Sequence, residues 1–321
     1  MKKKLIYVTD QTILRSILVS FNHQVNVEQM DDLTQHQYAH NSLLAMTKDW
    51  NLFIEFCQQR NVQALPASVT ATRLFLETEA KIRKYSTIRR YSVTIGLIHT
   101  LLSQKDPTNN PQVRQTLMSL RINKKGDQSQ ATSFTGKHLS ILFDKYHKHT
   151  SVKLLRDLAI YHVMFECALK RSELKRLKYS QININESDVW IELGEYQYRL
   201  SNNAAICLSN WLNRLDDNKS ESIVFRSIDR HGNISHGQLD DSSIYRILRN
   251  AGQLIGDPGL KFSGQSARIG AVEELSKQGY KTRQIQEFGR WLSPAMPYQY
   301  IGNANSAEIE KLKFFSFKPW E

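Results

Sequence analysis

Residues 263–279 read SGQSARIGAVEELSKQG and combine a helix start with an arginine set among small residues. The small pair Ser266 and Ala267 suits a helix that begins inside a protein, and the pattern predicts a helix over residues 266–277. Arg268 falls in its first turn, where binding of a phosphate is favoured over a role as a surface charge. Gln265 comes just before the helix and cannot take or give a proton near neutral pH. The stretch therefore predicts an anion site that lacks a proton carrier at residue 265.

A second motif, GRWLSPAMPYQYI, occupies residues 289–301. Pro294 suits the first position of a short helix, and Tyr298 and Tyr300 follow on that helix. Trp291 lies nine residues before Tyr300. The motif thus places aromatic side chains shortly after the helix that carries the arginine.

A third motif lies upstream, in LRDLAIYHVMFECALKRSEL at residues 155–174. Its apolar residues predict a buried helix that ends near Glu166. The basic pair Lys170 and Arg171 follows, and Glu173 heads the next helix. These charges either are solvated or line an anion site, and their place between an apolar helix and Glu173 favours the site.

A β-hairpin is predicted between these motifs, in DVWIELGEYQYRLS at residues 188–201. Two short alternating runs meet at Gly194-Glu195, as in a tight hairpin turn. Gln197 and Arg199 lie on its second strand. Arg199 is the hairpin's only basic residue, and no lysine occurs from residue 179 to 218.

The first third of the chain predicts helices alone. Apolar residues recur at helical spacing from residue 41 to 121. The stretch RKYSTIRRYS, residues 83–92, adds basic and aromatic residues around one of these helices. The polar segment NKKGDQSQAT, within residues 123–132, is the best linker in the chain. Residues 1–35 predict a loosely held arm with one short helix.

Composition favours a soluble protein with an acidic partner. The chain has 321 residues, of which 43 are Lys or Arg and 31 Asp or Glu, for a formal charge of +12 at pH 7. That excess of positive charge favours nucleic acid as the partner. The alternative is that the basic side chains only keep the surface solvated. Three isolated cysteines predict buried free thiols in a reducing compartment. The histidines lack metal-ligand spacing, so we expect no metal and no cofactor. No run of 18 apolar residues predicts a membrane span.

Together these motifs resemble the tyrosine recombinases, the phage integrase family, and most closely its Cre-like members. The resemblance covers nearly the whole chain, because five motifs occur in the family's order and spacing. It implies a mainly α fold. A helical, SAM-like core-binding domain would span residues 36–122, after the arm at 1–35. A mixed α+β catalytic-type domain with a small antiparallel sheet would span 133–321, after the linker at 123–132.

The family's chemistry implies roles for the matching residues. Two arginines hold the scissile phosphate, a tyrosine attacks it to form a 3′-phosphotyrosyl bond, and a lysine and a histidine move protons. Arg268 falls on the second arginine and Tyr300 on the nucleophile, a position that Tyr298 fits less well. Trp291 falls on a residue that touches the phosphate, and Glu173 on the acidic residue that follows the first arginine by three.

Three positions depart from the family's pattern. Lys170 falls on the first arginine, where it offers a point charge in place of a planar fork. Gln265 falls on the histidine and Gln197 near the hairpin lysine, and neither can shuttle a proton. Arg171 is one residue too late for the first arginine, although a rotated substitute role stays open. Arg199 is a poor acid because its pKa exceeds about 12.

Two functions therefore compete. One is a sequence-specific double-stranded DNA-binding protein whose strand cleavage and exchange is weak or lost. The other is an active site-specific recombinase that uses Tyr300 with unusual acid–base partners. RNA binding fits the charge but not the order of the motifs. The resemblance implies a cytoplasmic, nucleoid-associated protein that is monomeric in solution. It would form dimers or tetramers on DNA through a C-terminal helix within residues 307–317. The predicted DNA-binding residues are Lys81, Arg83, Lys84, Arg89, Arg90, Arg171 and Arg199.

Overall fold

The computed structural model describes residues 7–8, 10–124, 126, 130–185, 188–217 and 219–316. The chain divides into two compact units, Met1–Ser129 and Gln130–Glu321. Each unit has its own buried apolar core. The division falls inside the predicted linker, of which residues 125 and 127–129 lie outside the described part of the chain.

The first unit is helical throughout its described residues. Its helices are α1 (Gln11–Ser20), α2 (Val27–Leu33), α3 (His40–Gln58), α4 (Val69–Ala80), α5 (Tyr85–Leu101) and α6 (Pro111–Asn123). Trp50, Phe53 and Phe75 are fully buried at the centre of its core. Ser68 caps α4 by accepting the amide of Ala71, which satisfies one of the free N–H groups at the helix start.

The N-terminal residues pack more tightly than the sequence suggested. They form two helices, α1 and α2, and not one short helix on a loose arm. Leu14, Met30 and Leu33 are buried in the core of the first unit. Asp10 caps α1, and a capping box of Asn26 and Gln29 starts α2. The prediction of a loose arm was wrong because these few apolar residues face one side of two well-capped helices.

The second unit packs nine described helices and two small sheets around one main core. Its helices are α7 (Gly136–Tyr146), α8 (Val152–Glu166), α9 (Arg171–Arg176), α10 (Asn202–Leu212), α11 (Asp241–Ile255), α12 (Ser266–Lys277), α13 (Thr282–Phe288), α14 (Ala295–Tyr300) and α15 (Ala304–Ser316). Helix α8 is buried along most of its length and runs through the middle of this unit. Helices α9, α12 and α14 carry the residues singled out from the sequence.

The predicted hairpin is confirmed and gains a third strand. Strands β1 (Ile182–Ile184), β2 (Val189–Leu193) and β3 (Tyr196–Arg199) form an antiparallel sheet. Gly194 has a φ of +66° in the turn, a conformation that glycine adopts without strain. A second hairpin of β4 (Arg226–Ile228) and β5 (Ile234–Gln238) was not predicted, because its strands are short and lack apolar alternation.

Candidate active site and DNA-binding residues

Arg268 is buried on the first turn of α12, with 5% of its surface exposed. Small buried residues, Ser266 and Ala267, let this helix begin inside the unit. The guanidinium donates Nη1 to the carbonyl of Ala168 and Nη2 to that of Gly289, the latter at 2.9 Å. These bonds use two of its five N–H groups, so donors remain for an anion. Burial lowers the pKa of Arg268, yet an arginine keeps its charge at neutral pH.

Trp291 lies against this arginine, and Tyr300 lies against Trp291. The Arg268 guanidinium carbon is 4.3 Å from the centre of the Trp291 ring, a cation–π contact. Tyr300 ends α14 with 6% of its surface exposed, and its ring meets Trp291 edge-on with centroids 5.8 Å apart. Burial raises the pKa of Tyr300, and the charge of Arg268 partly opposes that rise. The structure thus brings together the three residues predicted as second arginine, phosphate contact and nucleophile.

Arg290 joins this cluster and was missed in the sequence. Its guanidinium donates to Glu173 Oε2 at 2.8 Å and to the carbonyls of Cys167 and Ala168 at 3.1 and 3.2 Å. It also donates to the hydroxyl of Tyr198 on β3. One side chain therefore ties α9, the end of α8, the sheet and the Gly289–Trp291 segment together. It also places a second, partly buried cation close to Arg268.

Arg290 adopts a φ of +55°, which is uncommon for a residue other than glycine. This conformation turns its side chain inward while Trp291 reaches Arg268. The sequence shows only that an arginine stands between Gly289 and Trp291. This position does not reveal a positive φ or contacts with residues 90 to 120 positions away.

Glu173 neutralises part of this positive charge. Its carboxylate accepts bonds from Arg290 and from the Lys170 amide, the latter at 2.8 Å. Burial alone would raise the pKa of Glu173, but these hydrogen bonds and the nearby cations outweigh burial and lower it. Glu173 is therefore ionised at neutral pH and acts as an acceptor, not as an acid.

Lys170 stands immediately before α9, at the edge of the cluster. Its Nζ lies 3.3 Å from Glu173 Oε1, and 47% of its side chain is exposed. Its charge is thus shared with a carboxylate that Arg290 already binds. As a single ammonium, Lys170 offers an anion a point charge and not a two-pronged contact.

Gln265 is exposed at the start of α12, three residues before Arg268. Residues three apart share a face of a helix, so Gln265, the N-cap of α12, lies on the same face as Arg268. The amide there can donate or accept a hydrogen bond, but it cannot carry a proton.

Gln197 and Arg199 lie on a different face of the sheet from the cluster. Gln197 pairs with Glu192 in the β2–β3 ladder and donates to its Oε1 at 3.0 Å. Arg199 forms an ion pair with Asp188 at 2.6 Å. Side chains alternate along a strand, so Tyr198 points to the opposite face, where it contacts Arg290. The structure therefore brings neither Gln197 nor Arg199 to Arg268.

Five of the predicted DNA-binding residues lie in the first unit, and two of them form ion pairs within the protein. All five are exposed: Lys81, Arg83, Lys84, Arg89 and Arg90. Arg83 lies 3.5 Å from Glu79. Arg90 binds Asp49 with two bonds of 2.8 and 2.7 Å, and the Asp49 side chain is 1% exposed. Arg90 therefore neutralises a buried carboxylate, whatever else it binds.

This ion pair predicts a stability defect for Arg90→Ala. The substitution would leave Asp49 buried without its partner, a kind of change that costs about 3–5 kcal/mol in a fully buried pair. Because half of the Arg90 side chain is exposed, we expect a loss of about 2 kcal/mol in unfolding free energy, measured by urea denaturation. Lys84→Ala is the matched control and should change it by less than about 0.5 kcal/mol. Equal stability of the two variants would contradict the structural role.

The described residues contain neither a membrane-spanning helix nor a cluster of metal ligands. No helix in that part of the chain is long and apolar enough to span a membrane. No group of three or more His, Cys, Asp or Glu side chains is placed there to hold a metal ion. The three cysteines are buried free thiols, as predicted.

Comparison with known proteins identifies relatives along most of the chain. An integrase/recombinase XerD homologue of Selenomonas ruminantium is 26% identical over 285 residues, which cover 83% of each protein. The Cre recombinase of Escherichia phage P1 is 20% identical over 292 residues, covering 82% of this chain and 83% of Cre.

Solved structures share the fold at lower identity. The XerH site-specific recombinase, in a post-cleavage complex with a palindromic difH substrate, matches with a TM-score of 0.63 and 12% identity, over 98% of this chain and 92% of its own. The Tn1549 transposon integrase, in complex with circular intermediate DNA, matches with a TM-score of 0.58 and 11% identity, over 88% and 98%.

A family model gives the assignment. The model of the phage integrase family matches residues 132–306, which is more than half of the chain and includes α9, α12 and α14. The match contains Arg268, Trp291 and Tyr300 in the contacts described above. The chain therefore belongs to the phage integrase family, the tyrosine recombinases.

Proposed function

We propose that this protein binds double-stranded DNA at specific sequences and that its strand cleavage through Tyr300 is weak or lost. One observation supports both halves of the proposal. Arg268, Trp291 and Tyr300 remain in contact, whereas the positions expected to move protons hold Gln265 and Gln197. The site keeps the means to hold a phosphate and lacks the groups that would speed its transfer.

DNA binding is supported by charge and by the donors left in the site. The formal charge of +12 favours a polyanion. Arg268 keeps N–H groups beyond those that bind Ala168 and Gly289, and Arg290 adds a second, partly buried cation. The XerH and Tn1549 proteins were solved with DNA, and we extend that partner to this chain.

Weak cleavage is supported by the chemistry of the three departures. A tyrosine with a raised pKa must lose its proton to attack, and the leaving oxygen must gain one. General acid and base groups each contribute about 10²–10⁴-fold to such steps. Neither Gln265 nor Gln197 can act as a general acid or base, and Arg199 forms an ion pair with Asp188. Lys170 replaces a two-pronged phosphate contact with a single one.

The alternative is an active site-specific recombinase, and the placement of Tyr300 favours it. Its ring is held against Trp291 beside Arg268, where a nucleophile would meet a bound phosphate. Attack there would join the phenol oxygen to phosphorus and release a 5′ hydroxyl. Other proton carriers would then have to replace those missing at residues 197 and 265.

Assembly and location follow from the same proposal. We propose a monomer in solution that forms dimers or tetramers on DNA through α15. Ile309 is 53% exposed on that helix and is available to a neighbour, while Ala307 is buried against its own unit. The side chains of Leu312 and Phe315 lie outside the described residues. A protein with this role works in the cytoplasm, on the nucleoid.

Selection from genomic DNA tests the binding half of this proposal. The purified protein is incubated with sheared genomic DNA under native conditions, and the retained fragments are sequenced. We expect a common sequence to be enriched, equally well by the wild type and by Tyr300→Phe. Loss of retention with added salt should be steep, because phosphate contacts release counterions. Failure to enrich any sequence, or equal retention of folded RNA at the same salt, would contradict the proposal.

A further inference from the structure

Arg171 lies across Gly264, the residue before Gln265. A β-carbon built on Gly264 would meet three atoms of Arg171 first: Cδ at 2.5 Å, Cγ at 2.8 Å and Nε at 2.8 Å. Such distances are too short for carbon atoms, so the arginine stem occupies the space that the missing side chain leaves. The first residue of α9 therefore reaches the segment that leads into α12.

Within the described residues, the charge of Arg171 is not paired with an acidic side chain. Arg171 is exposed, and no described carboxylate forms an ion pair with it. The other cations nearby are committed: Lys170 and Arg290 pair with Glu173, and Arg199 pairs with Asp188. Arg171 is therefore a guanidinium beside Gly264 that forms no ion pair with the described part of the chain.

Position and chemistry together suggest a role for this residue. Gly264 adjoins Gln265, the N-cap that lies on the same face of α12 as Arg268. We propose that Arg171 supplies the second guanidinium that binds the DNA phosphate, in place of the residue at 170. The lack of a side chain at Gly264 leaves the space that the Arg171 stem occupies. This assignment rests on the proposed DNA-binding function and deepens it.

Gly264 provides a sharp test because its own backbone does not require glycine. Its φ lies outside the left-handed range that excludes side chains, and the three nearest atoms to an added β-carbon all belong to Arg171. Gly264→Ala should therefore act by displacing Arg171. In a variant that already lacks this arginine side chain, the same change should have little effect.

The measurement is the affinity for a short fluorescent duplex that carries the sequence enriched from genomic DNA. We expect Arg171→Ala to weaken binding about tenfold and to reduce the salt slope by about one, as for loss of one phosphate contact. Gly264→Ala should weaken binding several-fold, and the double variant should bind no worse than Arg171→Ala alone. Lys170→Arg in the Arg171→Ala background should restore most of the affinity.

Arg176→Ala is the matched control, because Arg176 is an exposed arginine on the same helix. Melting temperatures of all variants should match that of the wild type. Equal weakening by Arg171→Ala and Arg176→Ala would overturn the inference while leaving the proposed function in place. So would additive effects of Gly264→Ala and Arg171→Ala. Absence of duplex binding by the wild type would overturn both.

Discussion

Restoring the three missing groups, with Lys170→Arg, Gln197→Lys and Gln265→His together, should raise the rate of strand cleavage by at least about 100-fold. A histidine at 265 is expected to contribute about 10²–10⁴-fold as a proton carrier, and an arginine at 170 adds a two-pronged phosphate contact. All three residues are exposed, so their replacement should leave the fold intact. Single-turnover cleavage of a nicked duplex, followed on denaturing gels, measures the rate.

The control for this experiment is the same triple variant with Tyr300→Phe. That substitution keeps the buried ring and removes only the hydroxyl, so it should abolish the covalent product and preserve binding. Gln265→His alone should give a larger gain than Gln197→Lys alone, because residue 265 lies on the helix that carries Arg268 and residue 197 faces away. A triple variant that binds the duplex but cleaves it no faster would contradict the account of the three positions.

Replacement of Arg290 should have the largest effect on stability. Its side chain is 10% exposed and binds Glu173, two carbonyls of the α8–α9 connection and Tyr198. Arg290→Met would leave those acceptors without their shared donor, and we expect a loss of about 3 kcal/mol in unfolding free energy. Denaturant unfolding measures it. Arg283→Met, an exposed arginine paired within α13, is the matched control and should cost less than about 0.5 kcal/mol.

The stability difference between wild type and Arg290→Met should depend on pH. Although burial raises the pKa of Glu173, the hydrogen bonds from Arg290 and the Lys170 amide, together with the charges of these two residues, outweigh burial, and the folded pKa lies below the usual 4.5. A depressed carboxyl pKa contributes stability that is fully present above the unfolded pKa and is lost as pH falls through the folded one. The difference should therefore be constant above about pH 5 and should narrow at more acid pH. A difference that widens on acidification would contradict the pairing of Arg290 with Glu173.

Local signals predicted much of the fold. Thr135, of a residue type that favours helix starts, forms a capping box with His138 at the start of α7. The hairpin turn at Gly194 follows from its two alternating strands. The prediction failed for residues 1–35, where a few apolar positions suffice once two helices dock on a core. It also failed for β4 and β5, whose pairing depends on the surrounding unit and not on alternation.

Residues of the candidate site could be predicted only where their spacing along the chain forms a recognisable pattern. Arg268, Trp291 and Tyr300 stand in a recognisable order, and the structure places them in contact. Arg290 was not recognised, because its contacts converge from three distant segments through a left-handed backbone. The commitment of Arg90 to Asp49 was equally hidden, since 41 residues separate the two.

Denaturant-resistant capture of DNA tests the central claim most directly. Genomic fragments are incubated with wild type and with Tyr300→Phe, and each sample is divided into native and denatured halves before sequencing. The account predicts that both proteins enrich the same fragments under native conditions, and that denaturant reduces both to the same low background. Fragments that stay attached to the wild type after denaturation, and not to Tyr300→Phe, would show that Tyr300 still cleaves DNA efficiently and would contradict the claim.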